Sequence, residues 1–257
     1  MSVNIYKIEC LTNLHVGSGD VNYNIVDNEV ERDAVTGYPV VHASGLKGAL
    51  REHFSKKDKS ELGFNITDIF GQESGSGEIK AGSYKFLDAH IICRPMRVSS
   101  SSLASIPVVS VKSVNDFIKR LNVFSCTKFG TELIDEIDFG EFNFLSNVKD
   151  IFIEGEETGI IPPQAAEVLK NLETIIGKKY AVVKDFNSYD LPVVARNYLV
   201  DGESKNLWYE EVVPHDSVFY TIIITPDEKM KLDLSEIIQI GGHASIGCGF
   251  TKFTKLN

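Results

Sequence analysis

The sequence predicts an α+β fold, on three observations. Stretches with an apolar period of two and stretches with an apolar period near 3.6 are both present. They do not alternate steadily, as the βα units of a doubly wound parallel sheet would. No repeat of fixed length runs through the 257 residues, of which 43% are hydrophobic and 24% charged, a globular composition that suits one large domain or two small ones.

The elements follow in order. Asn4 to Leu14 alternates and reads as a strand, closed by the turn-forming run Gly17-Ser18-Gly19-Asp20. After Thr36-Gly37-Tyr38-Pro39, Ser44 stands as an N-cap before Leu46, Leu50 and Phe54, so a helix is expected from Ser44 to about Lys57. The Gly- and Ser-rich run 72–82 is expected to be a mobile loop. A strand over Ser83–Cys93 and a helix over Val111–Leu121 come next. The segment 132–157 holds nine acids against one lysine, and most of the net charge of −10. A second helix begins near Pro163, places Ala166, Leu169, Leu172 and Ile176 on one face and stops at Gly177. Leu207–Val213 and Val218–Thr225 are expected to form a hairpin across Pro214-His215-Asp216-Ser217. Leu234–Ile240 reads as a short helix, and a strand near Phe250–Phe253 ends the chain.

Composition excludes several classes. No apolar run reaches the roughly 18 residues of a membrane span, and the N-terminus shows no secretory pattern. Cys10, Cys93, Cys126 and Cys248 lie far apart without a CxxC pair, which argues against a disulfide framework or structural zinc and for a reducing cytoplasm. The acidity is local: residues 1–131 carry 15 basic against 14 acidic side chains. Screening over about 8–10 Å lets a basic groove coexist with an acidic face.

Three features bear on chemistry, each with a plainer alternative. The loops 17–19 and 241–249 are glycine-rich, and such loops either cradle phosphates through their N–H groups or simply turn. Neither matches a P-loop or a dinucleotide-binding pattern. The helix start Ser44-Gly45-Leu46-Lys47 favours an anion, with Arg51 on the same face as Lys47, or it is an ordinary amphipathic helix with a solvated basic face. His15, with an ordinary pKa of about 6.5, suits proton transfer. Asp27, ordinarily near 3.9, is a weak base and needs a metal, a raised pKa or an orienting role. Glu210 and Glu211 alternate on a strand, so one of them faces any given side. Turn capping, a satisfied loop histidine and solvated strand carboxylates are the plainer readings.

Taken in order, Leu14-His15-Val16-Gly17-Ser18-Gly19, Val26-Asp27, Glu31-Arg32-Asp33, Thr36-Gly37-Tyr38-Pro39, Ser44 to Arg51, Phe70-Gly71, Asp88-Ala89, Arg94-Pro95-Met96-Arg97, Leu207-Trp208-Tyr209-Glu210-Glu211 and Gly241-Gly242-His243-Ala244-Ser245-Ile246-Gly247-Cys248-Gly249 resemble the RAMP superfamily of CRISPR proteins. Within it they resemble the backbone subunits of type III-B (Cmr) effector complexes, over nearly the whole chain. The resemblance implies a single domain over 1–257 with a ferredoxin-like (RRM-like) core. Insertions would form palm, fingers and thumb, with the thumb hairpin near 187–208, an RNA-facing loop at 72–82 and an acidic insertion at 132–157.

The function implied is endoribonucleolytic cleavage of complementary target RNA at regular intervals by copies assembled head to tail on a guide CRISPR RNA, beside other effector subunits. A divalent metal, Mg2+ or Mn2+, would be held at Asp27. Asp27 matches the family's catalytic acid, with His15, Glu210 and Glu211 as accessories. Ser44, Gly45, Lys47, Arg51, Arg97, Gly241, Gly242, Ser245, Gly247 and Gly249 would contact RNA. In the loop GGHASIGCG, Cys248 takes a slot where a polar or basic residue is expected. The competing functions are a non-catalytic guide-RNA scaffold and a stand-alone CRISPR RNA processing endonuclease that works by histidine chemistry without metal.

Overall fold

The computed structural model describes residues 1–17, 19, 25–72, 80–99, 103–134, 136–226 and 232–257. The expected mobile loop at 72–82 falls largely on 73–79, outside the described residues. In chain order the first elements are β1 (Ser2–Cys10), β2 (Val40–Val41), α1 (Ala43–Ser55), α2 (Lys59–Leu62), α3 (Ile66–Phe70), β3 (Lys85–Phe86) and β4 (Ala89–Arg97). There follow β5 (Ser105–Ser110), α4 (Val111–Val123), β6 (Phe144–Ser146), β7 (Phe152–Ile153), β8 (Glu156–Ile160), α5 (Pro163–Lys170), α6 (Glu173–Ile176) and β9 (Ala181–Val183). The chain closes with β10 (Val193–Val200), β11 (Glu203–Glu211), β12 (Val218–Thr225), β13 (Ile237–Gln239) and β14 (Phe250–Lys255).

The fold is α+β, and the chain divides into two compact units. The first comprises Met1–His90, Pro192–Val213 and Tyr220–Asn257. Its sheet runs β13-β14-β1-β12, with β3 antiparallel on β12 and β2 antiparallel on the first residues of β4. The alternation read in β1 buries Ile8 and Cys10, with Ile5 and Tyr6 beside them. Helix α1 presents Leu46, Leu50 and Phe54 to the core, where Phe54 meets Phe70, and Phe70 stacks on Phe86 at 5.4 Å. Full burial of such side chains is worth about 1.5–3 kcal/mol each.

The second unit comprises Ile91–Leu191 and Pro214–Phe219. Its strands run β4-β5-β9-β6-β8-β7, parallel between β5 and β9 and between β6 and β8, antiparallel elsewhere. Helix α4 starts with a reciprocal capping box between Ser110 and Ser113, and buries Val114, Phe117, Ile118 and Leu121. The acidic stretch 132–157 contributes β6, β7 and the start of β8 to this sheet.

Five sequence expectations change. The strand over Ser83–Cys93 is two strands, because Leu87-Asp88 breaks the ladder between β3 and β4. The helix from Pro163 is split at Asn171-Leu172 into α5 and α6, which bury Ala165 rather than Ala166. Leu234–Ile240 contains the strand β13, paired with β14, in place of a helix. The 207–213 run does not fold back on 218–225: β11 pairs with β10, from Val193↔Glu211 to Val200↔Glu203. That hairpin turns at Asp201-Gly202, both with positive φ (52° and 84°), the geometry a two-residue hairpin loop demands. The hairpin therefore covers 193–211 rather than 187–208, and Phe186–Ser188 forms a short 3-10 turn before it.

Candidate ribonuclease site

Strand β11 gathers the candidate catalytic residues within the first unit. The Asp27 and Asn28 N–H groups both donate to the Tyr209 carbonyl, at 3.0 and 3.2 Å. The Tyr209 N–H donates back to Asp27 Oδ2 at 2.8 Å, and the Glu211 N–H donates to the Asn28 carbonyl at 2.9 Å. The segment around Asp27 is thus an added strand-like rung, and Asn28 pairs in parallel with Glu210. The Asp27 side chain is exposed. One of its oxygens serves the backbone, as the plainer capping reading allowed.

His15 is fixed to the same strand. Its Nδ1 lies 2.8 Å from the Glu211 carbonyl, an acceptor only, so Nδ1 carries the hydrogen. In the neutral ring Nε2 then holds a lone pair suited to accepting a proton. Gly17 keeps that nitrogen uncrowded: a Cβ at Gly17 would stand 3.1 Å from it. Gly241, at φ +80°, is required for a second reason, since a Cβ there would meet the His15 carbonyl oxygen at 2.3 Å.

Glu210 and Glu211 are both buried, and neither is a bare catalytic carboxylate. Glu211 Oε2 accepts the Val30 N–H at 3.1 Å, and its Oε1 forms a close ion pair with Arg32. Glu210, 1% exposed, accepts from Trp208 Nε1 (2.8 Å) and Asn28 Nδ2 (3.3 Å) on Oε1 and from Arg196 Nε (3.0 Å) on Oε2, and His243 Nε2 stands 3.1 Å from Oε1 as an ion-pair contact. Burial pushes its pKa up. The Trp208 and Arg196 hydrogen bonds, the His243 charge and Asn28 outweigh burial and hold the carboxyl below its ordinary value.

The residues assigned to RNA separate into three groups. Ser44 and Gly45 are exposed in the first turn of α1, and Lys47 is half-buried on it. The helix begins one residue earlier than expected, with His42 as N-cap. Asp88 Oδ1 accepts the Ala43 N–H at 2.6 Å, so the anion at this helix start is the chain's own carboxylate. Arg51 is committed to the Gly71 carbonyl at 3.2 Å.

The second group is the loop after β13. Gly241, Gly242, Ser245 and Gly247 are exposed, whereas Gly249 is buried. A Cβ on Gly249 would meet the Ile240 oxygen at 2.0 Å, so a glycine is needed to close the turn there. The loop is anchored by Gly242 N–H to His15 O (2.9 Å) and by Gly249 N–H to Asn13 O (2.8 Å). Cys248 is buried and accepts from Arg196 Nη2 at 3.6 Å, which accounts for a thiol in that slot. Arg97 belongs to the second unit, where Nε and Nη2 donate to Glu154 Oε2 at 3.1 and 2.8 Å.

The donors present do not suit a metal held by the protein. Among the described residues no three His, Cys, Asp or Glu side chains converge. Glu210 and Glu211 are filled by cationic and N–H donors, which leaves Asp27 as a single exposed carboxylate.

Asn28 and Arg196 escaped the sequence reading, and Arg32, Trp208 and His243 stood in its motifs without a role. The signal that could have found the hairpin is Asp201-Gly202: a two-residue turn there pairs Val200 with Glu203, and the register shift between Tyr198 and Leu199 then sets Arg196 opposite Trp208, two residues from Glu210.

Comparison with known proteins gives one consistent answer. The chain is 28% identical to the CRISPR system Cmr endoribonuclease Cmr4 of Pyrococcus furiosus over 290 residues, covering 99% of this chain and 96% of that protein. It is 26% identical to the CRISPR system CMR subunit Cmr4 of Saccharolobus solfataricus, covering 98% and 96%. Its fold is similar to the apo type III-B Cmr-beta structure, with a TM-score of 0.73, 21% identity, and 100% and 98% of the two chains covered. It is also similar to oligomeric Cmr4 from Pyrococcus furiosus, with a TM-score of 0.68, 21% identity, and 100% and 99% covered. The RAMP superfamily model matches residues 7–252, and the chain belongs to that superfamily.

Proposed function

We propose that this chain is a repeated, guide-RNA-binding backbone subunit of a type III-B CRISPR effector complex, and that it cleaves complementary target RNA at regular intervals. The observation that carries the nuclease reading is the shared anchoring of Asp27 and His15. Both are fixed to β11, one through Tyr209 and the other through the Glu211 carbonyl. An exposed carboxylate and an imidazole with a free Nε2 lone pair are thus held by hydrogen bonds to one strand.

In this reading a target 2′-hydroxyl, oriented by Asp27, attacks the adjacent phosphorus in line. His15 Nε2 accepts its proton, and the P–O5′ bond breaks to leave a 2′,3′-cyclic phosphate and a 5′-hydroxyl, which takes a proton from solvent. The site's donors do not build a metal cage, so no step is routed through an ion. Guide pairing, not the protein, selects the target.

The finer architecture belongs to the same proposal. The β10–β11 hairpin, a two-stranded sheet of its own with Tyr198, Leu199 and Leu207 exposed, would be the thumb on a ferredoxin-like palm. Copies would assemble head to tail beside other effector subunits. The four free cysteines support a cytoplasmic setting.

The test is a complex reconstituted on guide RNA with labelled complementary target, in Mg2+, Mn2+ or EDTA. Cuts at a fixed spacing that depend on Asp27 support the proposal, and the EDTA arm reads the metal requirement that the resemblance implies. Guide binding without cleavage makes the chain a scaffold. Metal-independent cutting of repeat RNA by the free protein makes it a processing endonuclease.

A further inference from the structure

Glu211 is the residue to which the imidazole and the Asp27 segment are both tied. Its carbonyl accepts His15 Nδ1–H at 2.8 Å, and its N–H donates to the Asn28 carbonyl at 2.9 Å, next to Asp27. Its side chain reaches the same segment further on. Oε2 accepts the Val30 N–H at 3.1 Å, and Oε1 accepts from Arg32 Nη2. Residues 28, 30 and 32 therefore hang on one glutamate, whose backbone also holds His15. That glutamate is 7% exposed, and among the described residues Arg32 is its only ion-pair partner.

Arg32 reaches Glu211 from a closed turn. The Asp33 N–H donates to the Tyr38 carbonyl at 2.9 Å, and the Gly37 N–H donates to the Asp33 carbonyl at 2.8 Å. Arg32 pairs antiparallel with Pro39, and its Nη1 donates to the Gly37 carbonyl at 3.2 Å. The guanidinium thus bridges the turn and Glu211, with one terminal nitrogen on each. Both nitrogens are committed within the chain, although the side chain is 36% exposed.

We infer that Arg32 is a positioning residue: by holding the buried Glu211 carboxylate it fixes, through the backbone of that one residue, both His15 and the segment that carries Asp27. The role in cleavage rests on the reading of Asp27 and His15 as the chemical groups. The coupling itself is a property of the RNA-free chain.

The direction follows from the cost of a buried charge. Removing one partner of such a pair costs more than replacing both, because the remaining charge must recover water or a proton. Without Arg32 the Glu211 side chain is drawn toward solvent, and the Val30 N–H loses its acceptor. The Glu211 backbone is then less restrained, so its bonds to His15 and Asn28 open more often. Placing Gln at 211 as well removes the stranded charge and keeps an acceptor for Val30.

The test is the exchange of three hydrogens in the RNA-free protein: His15 Nδ1–H, Val30 N–H and Glu211 N–H. Arg32→Ala is expected to speed each by about three- to tenfold, the scale of one net hydrogen bond. The Leu14 N–H, bonded to the Val213 carbonyl, is expected to keep its rate. Arg32→Lys keeps the charge without the fork that bridges both acceptors. It is expected to fall between, and it carries the test if the alanine variant folds poorly. The double variant Arg32→Ala/Glu211→Gln is expected to return His15 Nδ1–H toward the wild-type rate. Faster exchange at Val30 alone, or an equal increase at Leu14, overturns the inference.

In the reconstituted complex, Arg32→Ala is expected to cut about ten- to a hundredfold more slowly at saturating target, the scale of a small misplacement. The salt slope of guide binding is expected to hold, and a reduced slope makes Arg32 a phosphate contact and overturns the positioning role. If the exchange pattern is found but the wild-type complex cuts nothing, the coupling stands and the nuclease reading falls.

Discussion

The carboxylates at β11 and those of the acidic stretch differ in what surrounds them. In the first unit Glu210 and Glu211 are buried and enclosed by donors from distant segments, Arg196 and Arg32 among them. In the second unit Glu132 and Glu136 of that stretch line a groove with Leu133, Ile137 and Glu167 of α5, and make no ion pair among the described residues. Charge density along the sequence marks the second group, and burial marks the first. Removal of a carboxylate is therefore costly where the fold buries it among donors and cheap where it faces solvent, whatever the local density of charge.

The largest effect that would test this contrast is at Glu210. Glu210→Ala strands the Arg196 guanidinium and the Trp208 N–H, and is expected to destabilise the fold by about 3 kcal/mol or more in urea melts. The pH dependence has a definite sign. Because the folded-state pKa of Glu210 is lowered, its contribution is present in full above the ordinary glutamate pKa and is lost as pH falls through the depressed value. The acid limb of stability should therefore be shallower in Glu210→Gln. An unaltered acid limb would mean that another group controls it.

Asp27→Ala comes next. It removes one acceptor for the Tyr209 N–H, which costs about 1 kcal/mol, yet cleavage is expected to fall by at least about a hundredfold with guide and target binding retained. Cleavage that survives would move the chemistry to His15. Gly17→Ala is a sharper probe of that residue, since it crowds Nε2 without touching the carboxylates. A rate loss smaller than that of Asp27→Ala is expected, with an unchanged melting temperature.

Lys47→Ala, on an α1 face where Arg51 is already spent on Gly71, is expected to lower the log–log salt slope of guide binding by about one unit. An unchanged slope would remove α1 from the RNA surface.

The smallest effect is expected in the second unit. Arg97 is 85% exposed, and its pair with Glu154 is screened by solvent. Arg97→Ala should leave the melting curve nearly unmoved, and the residual difference should vanish in about 1 M salt. A large shift would mean that Glu154, with its positive φ, depends on the pair.

The sequence by itself determined what depends on neighbours along the chain. The alternation in β1, the helix α4, the terminal strand β14 and the glycine-rich loop were all legible, because side-chain period and positive-φ turns are local properties. Asp27 and His15 both stand in the ordered motif set, but their common anchoring on β11 was not legible there. Tertiary structure decided the rest. Strand pairing joins residues that local propensity cannot rank, so 203–211 found 193–200 rather than 218–225, and 237–239 became an edge strand on β14. The same long-range choice put Asn28, Arg196, Trp208 and His243 around one glutamate. It turned two strand carboxylates that looked solvated into buried acceptors, because a charge taken from water must find its partners wherever the fold brings them.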